Sequence, residues 1–115
     1  MEFLKVNKIV EDLRKDTRLY LPNLTDVIGF SSSRNEYLLN SLVKEMSHNE
    51  CYLEIGVCNG RTLNAVSKGN EYKTLIAVDS LVKYSDIPII PKHALFYQKS
   101  WEELTKEYFT KKVGV

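Results

Sequence analysis

The chain has little of several features that mark large classes of protein. It has two cysteines, three prolines and five glycines in 115 residues, which excludes a disulfide scaffold and a collagen-like or low-complexity chain. Its uninterrupted apolar runs are a few residues long, whereas a membrane helix needs about 20 residues. The N-terminus has no apolar stretch of signal-peptide length. We therefore expect a protein that neither crosses a membrane nor is exported.

An excess of charge of either sign is also missing. Sixteen Lys and Arg stand against fifteen Asp and Glu, a formal net charge of +1. Proteins that bind nucleic acid or anionic lipid through a basic patch carry a clear positive excess, so we expect neither a nucleic-acid partner nor a membrane partner. With 43% hydrophobic and 27% charged residues, the composition is that of one ordinary globular domain.

The few cysteines and histidines indicate the compartment and argue against a metal site. If Cys51 and Cys58 lie on one extended segment, they are roughly 20 Å apart, too far for a disulfide. We expect both to be small buried apolar residues without a nucleophilic role. His48 and His93 have no carboxylate or second histidine at ligand spacing. These observations favour a cytoplasmic protein with no metal site.

Apolar residues at helical spacing predict two helices before the first strand. The first fifteen or so residues form an amphipathic pattern that is expected to end near Pro22. Ser33 and Glu36 then have the spacing of a capping box, in front of a second helix that runs to about Ser47. We treat residues 1–34 as an N-terminal helix and loop that precede the domain.

The remainder of the chain, residues 35–115, alternates short apolar runs with helical patterns. This order is typical of an α/β fold with a parallel sheet. Ser100 and Glu103 have capping-box spacing before the last helix. The predicted strands cover residues 51–57, 74–78 and 94–97, and the predicted helices between and after them run from about 60 to 69 and from 101 to about 110.

An acid and two glycines mark the end of the first predicted strand: Glu54, Gly56 and Gly60. A buried carboxylate is costly unless it is paired, and open α/β sheets bind ligands at the carboxyl ends of their strands. A dinucleotide fingerprint would need glycines at Cys58 and Arg61, and a P-loop would need an earlier glycine that is absent. Taken alone, Glu54 could equally be a strand-end acid paired with a lysine.

The same stretch resembles motif I of the class I S-adenosylmethionine-dependent methyltransferases. The usual motif is an acid followed by glycines at alternate positions, and here Glu54, Gly56 and Gly60 match it. The variant with Cys58 in place of the middle glycine and Thr62 at a hydroxyl position is similar to that of catechol-type and caffeoyl-CoA-type O-methyltransferases. The resemblance implies a Rossmann-like, doubly wound parallel sheet, incomplete at about three strands and preceded by two helices.

The resemblance also implies a cofactor, S-adenosyl-L-methionine, and a small-molecule acceptor. Asp79, after the second strand, stands where the family has the acid that grips the ribose hydroxyls, although an Asp after a strand is more often a turn residue. At the end of the third strand only Ser100 matches, since Gln98 and Lys99 replace the usual glycine and acid. The positions implied to bind the cofactor are Glu54, Gly56, Val57, Asn59, Gly60, Thr62, Asp79 and Ser100.

Three interpretations of the whole chain remain open. We favour a truncated or partial methyltransferase, because the family's sheet is larger and residues 111–115 resemble the lead-in to its fourth strand. The alternatives are an adenosine-cofactor-binding module completed by another chain and a non-catalytic interaction module. An open edge at the first strand, with apolar Leu53 and Ile55, predicts self-association. No catalytic residue is assigned.

Overall fold

The structure, a computed structural model, describes residues 2–15, 23–29, 31–81 and 88–113. The predicted end of the first helix near Pro22 lies outside these residues. None of the helices in the described part combines the length and apolar character that a membrane span requires. Along these ranges the chain forms, in order, α1 (Phe3–Lys15), α2 (Ser33–Lys44), β1 (Cys51–Ile55), α3 (Arg61–Ser67), β2 (Thr74–Val78), β3 (Leu95–Tyr97) and α4 (Trp101–Val113).

The three strands form one open parallel sheet in the order β1-β2-β3. Leu53 of β1 lies beside Ile76 of β2, which lies beside Leu95 of β3. Helix α3 connects β1 to β2, as parallel neighbours require a crossover. This arrangement confirms the prediction of an α/β, Rossmann-like parallel sheet of about three strands.

Helices α2 and α3 cover one face of the sheet. The register places the alternate residues of the strands on this face, and their side chains pack on Val43 and Met46 near the end of α2 and on Leu63 and Val66 of α3. Leu63 is completely buried, and burying a leucine side chain stabilises a fold by about 1.5–3 kcal/mol. The sheet residues in this core are Tyr52, Leu75, Ala77 and Phe96.

The opposite face of the sheet exposes a row of large apolar side chains. On β1, Leu53 is 41% and Ile55 54% exposed, and Leu95 and Tyr97 of β3 are exposed to a similar extent. Cys51 is exposed on the same strand. The prediction of a buried cysteine at this position is therefore wrong, because alternate residues of a strand point to opposite faces and Cys51 shares the face of Leu53.

The N-terminus of α2 differs from the predicted capping box. The N-cap is Ser32, whose hydroxyl accepts a hydrogen bond from the Asn35 N–H at 3.2 Å, and Ser33 is already helical. The Glu36 carboxylate does not cap the helix but pairs with Arg61 of α3. The helix ends at Lys44 rather than near Ser47.

Asn40 of α2 holds the end of α3. Its side-chain amide donates hydrogen bonds to the carbonyls of Ala65 and Lys68 at 2.8 Å and of Val66 at 3.2 Å. Carbonyls in the last turn of a helix have no partner within the helix, and α3 has seven residues. A buried amide therefore joins the two helices that cover the sheet.

Helix α4 follows the third strand, and Ser100 caps it as predicted. The Ser100 hydroxyl accepts a hydrogen bond from the Glu103 N–H at 3.1 Å. The helix extends to Val113, beyond the predicted end near Thr110. Residues 111–113 thus belong to its last turn. Residues 114–115 lie outside the described part, so the expectation that residues 111–115 lead into a fourth strand stays a prediction.

Candidate functional site

A loop with two glycines connects β1 to α3, and its shape requires both of them. Gly56 has φ +84° and ends β1, while its N–H donates to the Val78 carbonyl at 2.8 Å. Gly60 has φ +93° and is the N-cap of α3, and a Cβ there would collide with the carbonyl oxygen of Ile89. Residues that carry a side chain rarely adopt such φ values. We call residues 56–60 the glycine loop.

The Asp79 carboxylate, at the end of β2, binds the backbone of the glycine loop. Its Oδ2 accepts hydrogen bonds from the Val57 N–H at 2.7 Å and the Cys58 N–H at 3.2 Å, and its Oδ1 accepts one from the Leu81 N–H at 2.8 Å. Burial acts to raise the pKa of Asp79, but the three backbone hydrogen bonds outweigh it and lower the pKa. Asp79 is therefore ionised at neutral pH and fixes the loop to the sheet.

Glu54 lies on the helix-covered face of β1, the face that it shares with Tyr52. Its Oε1 accepts a hydrogen bond from the Tyr52 hydroxyl at 2.6 Å, and its Oε2 is buried without a hydrogen-bond partner among the described residues. Burial raises the pKa of Glu54, although the bond from Tyr52 acts in the opposite direction. No lysine is bonded to it in the described part of the chain, so the paired-acid alternative has no support there.

Two cavities meet at Gly56. One, which we call the strand-end cavity, has a volume of about 220 Å³ and is lined by Gly56, Asp79, Lys99, Ser100 and Trp101, among others. It lies at the carboxyl ends of the strands, on the open face of the sheet. Such a position is where open α/β sheets bind ligands.

The second cavity, which we call the loop cavity, has a volume of about 120 Å³. The glycine loop forms one side of it, and Gly29 and Ser31 from the N-terminal segment lie on the other side together with Arg61 and Thr62 of α3. Residues assigned from the sequence to a segment before the domain therefore form part of the wall of this cavity.

The predicted site residues fall into three groups in the structure. Gly56, Asp79 and Ser100 line the strand-end cavity. The loop cavity is lined by Gly56 again and by Val57, Asn59 and Thr62. Glu54 and Gly60 line neither of these two cavities: Gly60 shapes the glycine loop as the N-cap of α3, and the Glu54 carboxylate is bonded to Tyr52.

Sequence reasoning missed the charged groups near these cavities. Lys99, which lines the strand-end cavity, forms an ion pair with Glu107 of α4 at 2.5 Å. Arg61, noted in the sequence only as a position where a dinucleotide fingerprint would have glycine, pairs with Glu36. The one available signal was that Glu36, read as a capping residue, is an acid on a helix that must pack against the sheet.

The polar groups of the site are backbone N–H groups, carboxylates, hydroxyls and an amide. Within the described ranges no three His, Cys, Asp or Glu side chains come together in a way that could hold a metal ion.

Comparisons of the chain with protein-family models, with curated proteins and with solved structures find no match.

Proposed function

We propose that the chain binds S-adenosyl-L-methionine across the glycine loop and acts in methyl transfer to a small-molecule acceptor, by O-methylation. The observation that carries this proposal is the position of Gly56 between the two cavities. Each cavity alone is smaller than the about 300–1,000 Å³ of ordinary ligand sites. An elongated ligand that passes over the bare backbone at Gly56 would occupy both.

The groups on the two sides of Gly56 suit the two ends of this cofactor. Asp79 at the strand-end cavity suits the adenosine end, because its Oδ1 accepts a single N–H and keeps acceptor capacity for a ribose hydroxyl. Trp101 at the same cavity offers an aromatic ring for a planar base. The loop cavity then receives the amino-acid end, and Asn59 and Thr62 offer it polar side chains.

The buried carboxyl group of Glu54 is compatible with a positively charged ligand, although Glu54 lines neither cavity. Its buried Oε2 has no partner among the described residues, and burial favours the protonated form. A cationic group at the glycine loop would favour the ionised form by Coulomb attraction. When bound, S-adenosyl-L-methionine supplies an electrophilic methyl group on such a cationic centre, while the residues of this chain bind and orient it.

Calorimetric titration with the cofactor pair tests the proposal. We expect binding of S-adenosyl-L-methionine and S-adenosylhomocysteine, and weaker or no binding of NAD and ATP. Trp101 is the one tryptophan of the chain, so its fluorescence should change on binding. Glu11→Gln, an exposed position on α1, serves as the control variant and should bind normally. Binding of NAD with no response to the adenosyl pair would refute the assignment.

A second candidate function is association with another copy of the chain. The observation that favours it is the exposed apolar row of Leu53, Ile55, Leu95 and Tyr97 on the open face, since contiguous exposed apolar patches mark interaction sites. The row includes residues of β1, which lies at one edge of the sheet in the order β1-β2-β3. Two copies could bury these rows against each other, and the oligomeric state in solution decides between a monomer and a dimer.

A further inference from the structure

We infer that Arg61 is a positioning residue that holds residues 23–29 against the glycine loop, so that this N-terminal segment forms the outer wall of the ligand site. The inference rests on the proposed function for the identity of the ligand. It assigns to Arg61 and Glu36 a role in binding the amino-acid end, through the position of the segment rather than through contact with the ligand.

The Arg61 guanidinium joins three parts of the chain. Its Nε and Nη2 donate to the two Glu36 carboxylate oxygens at 2.8 and 3.2 Å, and its Nη1 donates to the Val27 carbonyl at 2.8 Å. The Arg61 side chain is 19% exposed and the Glu36 side chain 2%. The planar guanidinium can make these bonds at once, whereas a lysine is a point charge on a flexible stem.

Further contacts hold residues 23–29 close to Arg61 and to the glycine loop. A Cβ at Gly29 would lie 2.6 Å from the Arg61 Cβ, so a larger residue does not fit without a shift. The Asn59 amide donates to the Ile28 carbonyl at 3.3 Å. The Ser31 hydroxyl also donates to the Glu36 carboxylate. The segment is thus bound both to the glycine loop and to the start of α3.

The charge on Arg61 is already neutralised by Glu36, so Arg61 is poorly suited to attract an anionic ligand group by itself. Its effect on the ligand comes through Gly29, the residue of this segment that lines the loop cavity. If the segment is not held in place, its ordering must be achieved when the ligand binds, and that lowers affinity. Adenosine alone, which lacks the amino-acid end, should not depend on the segment.

The experiment compares Arg61→Lys, Glu36→Gln and the double variant with the wild-type chain. The control is Arg34→Lys, the same substitution on α2, where Arg34 donates to the Leu13 carbonyl instead. Affinities for adenosine and for S-adenosylhomocysteine are measured by calorimetry. Amide hydrogen exchange of residues 23–29 is measured without ligand, with residues 75–78 of β2 as the internal reference.

We expect Arg61→Lys to weaken S-adenosylhomocysteine binding by about tenfold and to leave adenosine binding unchanged. Exchange in residues 23–29 should become faster while that of residues 75–78 stays the same. The double variant should bind S-adenosylhomocysteine no more weakly than Arg61→Lys alone, because both substitutions disrupt the same Arg61–Glu36 ion pair. Arg34→Lys should behave as the wild type in all these measurements.

Three results would overturn the inference: unchanged affinity for S-adenosylhomocysteine in Arg61→Lys, an equal loss for both ligands, or unchanged exchange of residues 23–29. A wild-type chain that binds neither ligand refutes the proposed function instead. In that case the exchange measurement alone still decides whether Arg61 holds the segment, since it needs no ligand.

Discussion

Replacing Asp79 with alanine should destabilise the glycine loop as well as weaken ligand binding. The carboxylate accepts three backbone hydrogen bonds, from Val57, Cys58 and Leu81. A hydrogen bond to a charged group contributes about 1.5–3 kcal/mol, but Asp79 is half-buried and water can replace part of what is lost. We therefore expect the free energy of unfolding to fall by about 2–4 kcal/mol, from a typical total of about 5–15 kcal/mol.

The contribution of Asp79 to the free energy of unfolding should decrease at acid pH. Burial acts to raise the pKa of Asp79, and the hydrogen bonds from Leu81, Val57 and Cys58 more than reverse this. A carboxyl whose pKa is lowered in the folded state stabilises the fold above its unfolded value, about 3.9. This stabilisation is lost as the pH falls through the folded value. The difference between the wild type and Asp79→Asn should therefore shrink below about pH 4.

Urea denaturation followed by circular dichroism at pH 7 and pH 3 measures both effects. Asp26→Ala, an exposed aspartate in residues 23–29, is the control and should unfold close to the wild type. Folded Asp79→Ala should also bind S-adenosylhomocysteine about 1–3 kcal/mol more weakly. If Asp79→Ala unfolds at the wild-type urea concentration, the carboxylate does not fix the loop. If Asp79→Ala loses stability but binds S-adenosylhomocysteine with normal affinity, Asp79 acts only as a structural cap.

Other positions give independent tests. Glu54→Gln should raise the free energy of unfolding at pH 7, because burial raises the pKa of Glu54 and a carboxyl of this kind stabilises the fold only while protonated; the gain should vanish near pH 4 in urea titrations. Leu63→Ala, in the buried core, should cost about 2–5 kcal/mol, whereas exposed Ile89→Ala should change little. Leu53→Lys should reduce dimerisation seen by light scattering, and a monomeric wild type would contradict that expectation.

The strands and helices were largely predictable because their signals are local. Residues 74–78 were predicted as a strand and β2 has these bounds. The strand β1 is two residues shorter than predicted, because Gly56 turns the chain at φ +84°. The ends of α2 and α4 also differ by a few residues, since a helix end depends on which group caps it, and several nearby groups compete.

The candidate site was predictable in its backbone and less so in its side chains. Gly56 and Gly60 were identified from their spacing, and the structure gives each a positive φ. Ser100 was expected at the site, and it lines the strand-end cavity. Glu54 was expected at the ligand, but its side chain faces the helices, on the same face as Tyr52 two residues earlier. Strand alternation alone could have indicated this.

The sequence by itself determined the order of the elements, the two glycines and the acids at the strand ends. These features depend on residues a few positions apart, whose relation is set by the period of a helix or a strand. The tertiary structure alone decided the partners of Asp79 and Arg61, whereas the partner of Glu54 is Tyr52, two residues earlier on the same strand. Asp79 meets Val57 across 22 residues and Arg61 meets Val27 across 34. Such pairs form when the crossover and the helix packing bring distant backbone groups together, and no local pattern records that geometry.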